Sequence, residues 1–227
     1  MKEINENYTD FYRKKKHTLI YPTELVVRTF LASYPGLNMR KPTKDSKVLD
    51  IGVGDGRNTL FLCEQQYEVY GTEITQEIVD IAKDRIQKNG YSPDLRVGRN
   101  SNLPFEDNEL DYALACHVCY YCDEGQTMKD NLAEYSRILK KGGYLIASVA
   151  HIEGSIFNGA ERLEDGNMLI KNDPYNNRNG YKLKGFKDTA EIEEYFSPWF
   201  KNFSFGQAAN NYYGFEENVF WVVCEKK

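Results

Sequence analysis

Short apolar runs alternate with stretches of helical spacing through the middle of the chain. The helical spacing is clearest where Ile78, Ala82 and Ile86 recur at intervals of about one turn. The apolar runs are typical of β-strands, and they cover 47–51, 67–74, 94–98, 110–116 and a fifth run ending near residue 150. Strands that alternate with helices in this way predict an α/β fold, with a mostly parallel sheet flanked by helices.

The two ends of the chain differ in pattern from the core, which we assign to residues 47–150. Residues 1–46 include an apolar helical face after Pro22, so we expect them to form a helical cap. Residues 151–190 are rich in Asn, Gly and charge, which predicts a long excursion outside the core. Residues 191–227 predict a final helix and strands, and we expect the whole chain to form a single domain.

Composition and charge exclude several classes of protein. The chain has 227 residues, of which 41% are hydrophobic, enough to bury one sizeable core. Its net charge is −5, and the longest basic run is 13–16, so we expect neither nucleic-acid binding nor a nucleic-acid partner. Without a run of 18 apolar residues or an apolar N-terminus, we predict no membrane segment and no signal peptide. Five cysteines, an odd number, fit a reducing compartment, and we expect a cytoplasmic protein.

A tight turn follows the first predicted strand, where Gly52, Gly54 and Gly56 fall within five residues. Glycines at such a turn allow a ligand to touch the backbone where the next helix begins. Asp50 and Asp55 flank the glycines, and two carboxylates in a poorly solvated turn would repel a pyrophosphate. They favour a ligand that carries a sulfonium and an ammonium, a description that fits S-adenosylmethionine.

A second acidic position supports a nucleoside ligand. Glu73 ends the second predicted strand, 21 residues beyond Gly52. In a strand-helix-strand unit this spacing places the carboxylate at the tip of the second strand, where it can accept hydrogen bonds from both ribose hydroxyls. We therefore predict that Glu73 binds the ribose.

Three segments together carry a resemblance to a known family. Residues 49–56 resemble the first motif of the class I S-adenosylmethionine-dependent methyltransferases. Residues 99–105 resemble the family segment that brackets the adenine, and residues 137–146 resemble the turn before its fifth strand. The resemblance implies a Rossmann-like, doubly wound α/β fold with a mostly parallel seven-stranded sheet whose last strand is antiparallel.

The resemblance also implies a set of cofactor contacts. Arg99 stands where the family commonly has an acidic residue, which leaves Asn100 and Ser101 as the expected adenine contacts. An N-terminal segment often covers the cofactor in this family, so Tyr12, Tyr21 and Arg28 are candidates for contacting its aminoacyl end. The full set of predicted cofactor-binding residues is Asp50, Gly52, Gly54, Gly56, Arg57, Asn58, Glu73, Ile74, Asn100, Ser101 and Tyr21.

Candidate catalytic residues follow the fourth predicted strand, whose end should face the transferred group. His117 is a candidate base or acceptor-orienting group because the pKa of histidine often lies near neutrality. We predict His117 and Tyr120 as the catalytic pair, while His151 has a weaker claim. A possible acceptor pocket is formed by tyrosines, whose rings also suit a sulfonium: Tyr120, Tyr121, Tyr212 and Tyr213.

The same stretch raises a metal hypothesis, because Cys116, His117, Cys119 and Cys122 are residue types that bind zinc. Residues that alternate along a strand end point to opposite faces, and the sequence has no second Cys-x-x-Cys pair to complete a site. We therefore expect no metal.

Methyl transfer from S-adenosylmethionine to a small polar molecule, with S-adenosylhomocysteine as product, is the function that the resemblance implies. Residues 54–58 are also similar to tellurite-resistance and thiopurine-type methyltransferases, which widens the range of acceptors. Residues 151–190 mix amide and aromatic side chains, and we expect them to close over that acceptor. A non-catalytic S-adenosylmethionine-binding or regulatory protein is the main alternative, and a nicotinamide-dependent oxidoreductase is a third possibility.

Overall fold

A mixed β-sheet with helices on both faces forms the centre of the protein, in a computed structural model that describes residues 2–15 and 17–227. Met1 and Lys16, the last residue of the basic run, lie outside the described residues. The strands are β1 Lys47–Ile51, β2 Glu68–Glu73, β3 Asp94–Val97, β4 Leu110–Ala115, β5 Leu139–His151, β6 Glu161–Arg162, β7 Met168–Leu169, β8 Lys182–Leu183, β9 Gly185–Phe186, β10 Phe200–Tyr212 and β11 Phe215–Lys226. The helices are α1 Lys2–Lys15, α2 Glu24–Leu31, α3 Arg57–Glu64, α4 Gln76–Gln87, α5 Met128–Ile138 and α6 Thr189–Phe196, with a 3-10 turn at Ser155–Phe157.

Seven strands lie side by side in the order β10-β11-β5-β4-β1-β2-β3. Strands β1 to β5 pair in parallel with one another, whereas β11 is antiparallel to both β5 and β10. The predicted doubly wound, mostly parallel sheet with an antiparallel last strand is therefore confirmed. The short strand β9 also pairs with β5, which adds an eighth member to the sheet.

The central strands are apolar on both faces because helices cover both faces. In β1, Leu49 and Ile51 pack into one core cluster with α5 and α6, while Val48 packs into another with α2 and α3. Side chains alternate along a strand, so adjacent apolar residues serve opposite layers. This arrangement leaves the carboxyl ends of the parallel strands free to form a binding site. None of the described helices has the length and apolar character needed to cross a membrane.

Residues 151–190 correct one expectation, because they contribute to the core rather than lying outside it. Phe157, Ile170, Leu183 and Phe186 are each at most 6% exposed and join the main core cluster. Strands β6, β7 and β8 form a small antiparallel sheet within this segment. Its apolar residues occur singly or in runs of two or three between polar stretches, so they show neither helical nor extended strand periodicity, although several of them pack inward.

Helix α1 is attached to the rest of the protein by polar contacts. Arg13 Nε donates to Glu77 Oε1 at 2.7 Å, and the hydroxyls of Thr9 and Thr75 are 3.2 Å apart. Arg85 Nη2 donates to the carbonyl of Lys15 at 2.7 Å. These contacts hold α1 against α4, beside the carboxyl ends of β1 and β2.

Candidate active site

A cavity of about 400 Å³ lies at the carboxyl ends of the central strands. Its lining includes Ile51 at the end of β1, Glu73 at the end of β2 and Cys116 directly after β4. Helix α1, residues 154–181 and the hairpin between β10 and β11 complete the wall. This edge of an open α/β sheet is where such folds bind their ligands.

The glycine turn after β1 presents bare backbone to the cavity. Gly52 and Gly54 line it with φ values of +70° and +54°, a conformation that favours glycine. A Cβ atom on Gly54 would lie 2.5 Å from the Tyr12 hydroxyl oxygen, and one on Gly52 would lie 2.9 Å from Cγ2 of Val118. No side chain fits at either position without displacing a neighbour.

Gly56, also predicted to bind the cofactor, serves packing instead. It is absent from the cavity lining, and a Cβ atom there would lie 3.2 Å from Cδ1 of Ile86 in α4. Its φ of +81° also requires the left-handed region immediately before α3. Gly56 therefore allows the chain to turn into α3 close to α4.

The Glu73 carboxylate is buried and lines the cavity, with 8% of the residue exposed. Its Oε1 accepts a hydrogen bond from the Gly54 N–H at 3.2 Å, and its Oε2 accepts one from the Ile74 N–H at 2.7 Å. Burial raises the pKa of Glu73 to about 6, while the two backbone donors oppose that rise. Ile74 lines the cavity beside it.

Asp50 does not face the cavity, which corrects its expected role as a ligand contact. It is 1% exposed, and its Oδ2 accepts a hydrogen bond from the Thr59 hydroxyl at 2.6 Å. Burial raises its pKa to about 7. Strand alternation directs Asp50 toward α3, so its carboxylate joins β1 to that helix.

Arg57 and Asn58, the first residues of α3, both line the cavity. Arg57 is exposed, whereas Asn58 is 7% exposed and its Oδ1 accepts a hydrogen bond from the Thr23 N–H at 2.9 Å. Asn58 thus fixes the segment before α2. Tyr21, in that segment, is 73% exposed and lies outside the cavity, which does not match its expected contact with the cofactor.

Only one of the two predicted adenine contacts lies in the cavity. Asn100 lines the cavity, and its Nδ2 donates to the carbonyls of Val118 and Tyr121 at 3.0 and 3.2 Å. Ser101 lies outside the lining. Arg99, which stands where the family commonly has an acidic residue, also lines the cavity. It donates to Asp123 Oδ1 at 2.6 Å, so a nearby carboxylate neutralises its charge.

His117 lines the cavity directly after β4, in a left-handed conformation with φ of +57°. Its backbone N–H donates to the Ser148 hydroxyl at 2.7 Å. Burial and the positive charges of Arg57 and Arg178 lower its pKa to about 4. The expectation of a pKa near neutrality was therefore wrong, and His117 is a neutral imidazole under ordinary conditions.

Tyr120, the other predicted catalytic residue, lines the cavity and is 5% exposed. Burial raises the pKa of Tyr120 well above its ordinary value, so its hydroxyl stays protonated. Its ring stacks on Tyr121 with centroids 5.1 Å apart. Tyr120 is suited to donating a hydrogen bond but not to removing a proton.

The sequence did not reveal a tyrosine cluster that joins three distant segments. Tyr8 of α1 donates a hydrogen bond to the Tyr121 hydroxyl at 2.9 Å, and Arg178 Nε donates to the same oxygen at 2.8 Å. The rings of Tyr8, Tyr121 and Tyr181 meet edge to face with centroids 5.5 to 6.1 Å apart. All four residues line the cavity. The three segments that supply these residues are at least 57 positions apart in the sequence, so no local pattern predicts the cluster.

The β10–β11 hairpin supplies the remaining wall. Tyr212 lines the cavity, while Tyr213 at the hairpin tip is fully exposed and does not. Strand β11 also contributes Glu216, Glu217 and Asn218, which sequence reasoning missed. Gly214, at the hairpin turn with φ of +93°, is a local signal that could have indicated the hairpin, but no local pattern shows that the hairpin reaches the cavity.

Two further candidates lie outside the cavity. His151 Nδ1 accepts a hydrogen bond from the Glu153 N–H, and Arg28 pairs with Glu24 on the exposed face of α2. The five cysteines are free. Across residues 2–15 and 17–227, no three His, Cys, Asp or Glu side chains are grouped so as to hold a metal ion.

Comparisons with known proteins agree with this geometry. Residues 49–147 match the family described as a methyltransferase domain. A demethylmenaquinone methyltransferase from Bacteroides fragilis is 24% identical over 150 residues, which cover 64% of this chain and 58% of that protein.

Solved structures share the fold. An S-adenosylmethionine-dependent methyltransferase from Methanosarcina mazei superposes with a TM-score of 0.66 at 20% identity, covering 86% of this chain and 99% of that one. A Thermotoga maritima methyltransferase, described as a possible histamine N-methyltransferase, gives 0.62 at 21% identity over the full length of both chains. Residues 49–147 of this chain are therefore similar to a methyltransferase domain, and the chain has the fold of solved S-adenosylmethionine-dependent methyltransferases.

Proposed function

We propose that this protein transfers a methyl group from S-adenosylmethionine to a small polar molecule. The observation that carries the proposal is the pairing of a buried carboxylate, Glu73, with the bare backbone of Gly54 in one cavity with His117. A volume of about 400 Å³ is in the range of small-molecule sites. This volume supports a site for small molecules, and we take the acceptor to be one.

The residues present fit the cofactor. Glu73 has two buried carboxylate oxygens at the cavity wall, which suit the two ribose hydroxyls. Gly52 and Gly54 leave backbone open where a side chain would intrude. Arg57 lines the same wall and forms no ion pair within the described residues, so we assign it to the carboxylate of the aminoacyl end.

The work of the protein in this reaction is alignment and removal of water. S-adenosylmethionine supplies, when bound, a methyl carbon made electrophilic by the attached sulfonium. Tyr8 and Tyr12 of α1 cover the site, which excludes water from it. Neutral His117 accepts a hydrogen bond from the acceptor and orients its nucleophilic atom, because an imidazole with a pKa of about 4 is a weak base.

Residues 151–190 form the acceptor side of the site in this proposal. Of this segment, Tyr175, Asn177, Arg178 and Tyr181 line the cavity. They combine aromatic surface with hydrogen-bonding groups, which suits a polar molecule. The free cysteines are compatible with a reducing compartment, and we place the reaction in the cytoplasm.

Calorimetry and an acceptor screen test the proposal. We expect S-adenosylmethionine and S-adenosylhomocysteine to bind and NAD not to bind. A screen of small hydroxyl, amine, thiol and carboxylate compounds, read by S-adenosylhomocysteine release, should then find an acceptor. Binding of NAD alone would refute the cofactor assignment. Binding of S-adenosylmethionine with no turnover on any acceptor would favour a non-catalytic binding protein.

A further inference from the structure

Arg178 is a partly buried arginine in the part of the cavity that we assign to the acceptor. Its side chain is 28% exposed and lines the cavity. Its Nε donates to the Tyr121 hydroxyl at 2.8 Å, and its Nη1 approaches Asp173 Oδ1 at 3.3 Å. These contacts leave Nη2 without a hydrogen-bond partner among residues 2–15 and 17–227. A guanidinium fixed in this way is oriented before any ligand arrives.

Asp173 holds Arg178 in place but uses only one of its guanidinium N–H donors. The Asp173 side chain is 0% exposed, and its Oδ2 accepts hydrogen bonds from the N–H groups of Asn177 and Arg178 at 2.8 and 2.9 Å. Its Oδ1 accepts a longer one, at 3.4 Å, from Tyr175. Three backbone donors therefore share the charge of this carboxylate, and its role is to shape the loop that carries Arg178.

The surroundings of Arg178 are aromatic. The rings of Tyr8, Tyr121 and Tyr181 form edge-to-face pairs with one another and line the same cavity, and Arg178 contacts this cluster at the Tyr121 hydroxyl. Such a wall suits a flat ring. Arg178 and Arg57 both act on His117 through their charge, so the space around the His117 imidazole is electropositive.

The carboxylates of the cavity wall are mostly engaged elsewhere. Glu73 accepts two backbone hydrogen bonds, Asp123 pairs with Arg99 at 2.6 Å, and Asp55 lies 3.9 Å from Arg85. The remaining two, Glu216 and Glu217, belong to the hairpin wall. None of these carboxylates forms an ion pair with Arg178, whose recorded partner is Asp173.

We propose that the methyl acceptor is a small planar molecule with an anionic group, and that Arg178 binds that group while the tyrosine cluster holds the ring. The inference rests on the proposed methyl transfer and names the class of acceptor. Arginine recognises a planar carboxylate through paired N–H donors, and the donors of Arg178 left for such a pair by the described residues are the two of Nη2 and the second of Nη1. The anion comes from the acceptor rather than from the cofactor, whose carboxylate is assigned to Arg57.

The test uses compounds that share a phenol ring and carry an anionic, a neutral or a cationic substituent. Affinities for the protein saturated with S-adenosylhomocysteine are measured by calorimetry for 4-hydroxybenzoate, 4-hydroxybenzamide and 4-hydroxybenzylamine, and for 4-hydroxyphenylacetate with its amide. We expect each acid to bind about 10- to 100-fold more tightly than its amide, the loss expected when a charged hydrogen-bond partner is removed. The amine should bind more weakly still. Acids that bind no more tightly than their amides would overturn the inference.

Variants separate the acceptor from the cofactor. Arg178→Gln should remove the preference for the acids and leave S-adenosylhomocysteine affinity within about twofold. Arg178→Lys should retain part of the preference, because the charge remains but the paired donors are lost. Arg162→Gln, an exposed change in β6 of the same segment, is the matched control and should alter neither affinity.

The possible failures are distinguishable. If Arg178→Gln weakens S-adenosylhomocysteine binding and spares the preference for acids, Arg178 serves the cofactor and the inference is wrong. If the unmodified protein fails to bind S-adenosylmethionine, the proposed function itself is wrong. The comparison of acid with amide on the unmodified protein does not depend on whether any variant folds.

Discussion

The N–H of Gly54 donates a hydrogen bond of 3.2 Å to the carboxylate of Glu73, which joins the turn after β1 to the end of β2. Both residues therefore belong to one preorganised surface before any ligand binds. An ionised carboxylate in this position accepts hydroxyl hydrogen bonds on both oxygens, whereas protonation turns one oxygen into a donor and removes the charge. Ligand affinity should consequently follow the ionisation of Glu73.

We predict that S-adenosylhomocysteine affinity falls as the pH drops below about 6, the raised pKa of Glu73 in the free protein. The fall should approach tenfold per pH unit, because binding then requires loss of a proton. Glu73→Gln should abolish this dependence and weaken binding at pH 8 by about 1.5–3 kcal/mol. Calorimetry between pH 5 and 8 measures both effects. Glu68→Gln, at the exposed start of the same strand, should change neither.

We predict that Gly54→Val abolishes cofactor binding. The new side chain would meet the Tyr12 hydroxyl at 2.5 Å and would stand on backbone with φ of +54°. Gly36→Val is the matched control, since a Cβ atom there meets nothing within 4 Å. A folded Gly54→Val protein with unchanged affinity for S-adenosylhomocysteine would contradict the placement of the cofactor at this turn.

We predict that His117 titrates with a midpoint near pH 4, far below an ordinary histidine. Burial and two nearby arginines disfavour its charged form. The imidazole proton resonances, followed by NMR from pH 3 to 8 and assigned with His117→Gln, measure the midpoint. An inflection of the His117 signal near pH 6.5 would show that the ring is solvated rather than enclosed.

We predict that protein stability declines as the pH rises from about 4 toward 7, in part because of Asp50. Its pKa is about 7 in the folded protein and 3.8 without burial, so the unfolded chain releases this proton first. Each rise of one pH unit between these values lowers the free energy of unfolding by about 1.4 kcal/mol at most. Asp50→Asn should flatten the profile, measured by urea unfolding at pH 4 to 8. An equally steep decline in the variant would assign the effect to other groups.

We predict that Ile170→Ala lowers the free energy of unfolding by about 2–5 kcal/mol, although residue 170 lies in a polar stretch. Ile170 is 0% exposed and belongs to the main core cluster. The neighbouring Leu169→Ala, at a partly buried position, should cost less. Equal and small losses for both changes would indicate that the segment is only a surface insertion.

The core of the fold followed from the sequence because its signals are local. The predicted bounds of β1 agree with the structure, and helix α4 spans the predicted apolar positions Ile78 to Ile86. The same holds for Gly54 and Glu73, whose spacing along the chain determines that they meet. Periodicity and motif spacing both depend on residues that are close in the sequence, so they can be recognised without knowledge of the tertiary structure.

The rest of the site could not be predicted for the opposite reason. Tyr12 and Tyr21 are both aromatic residues of the N-terminal segment, but only Tyr12 lies on the helix face that meets the cavity. The contact between Arg178 and Tyr121 joins residues 57 positions apart. His117 shows that even a correctly placed residue can have unexpected chemistry, because its pKa depends on Arg57 and Arg178.

Strand β11 is the last strand in the chain, yet it lies between β5 and β10 in the sheet. While the chain is being translated, β5 and β10 are complete before their shared neighbour has been synthesised. Until residues 215–226 leave the ribosome, the nascent protein exposes an unpaired edge on each of these strands. The pairing of β11 with both strands therefore completes the sheet, and it satisfies the two facing edges in one late step.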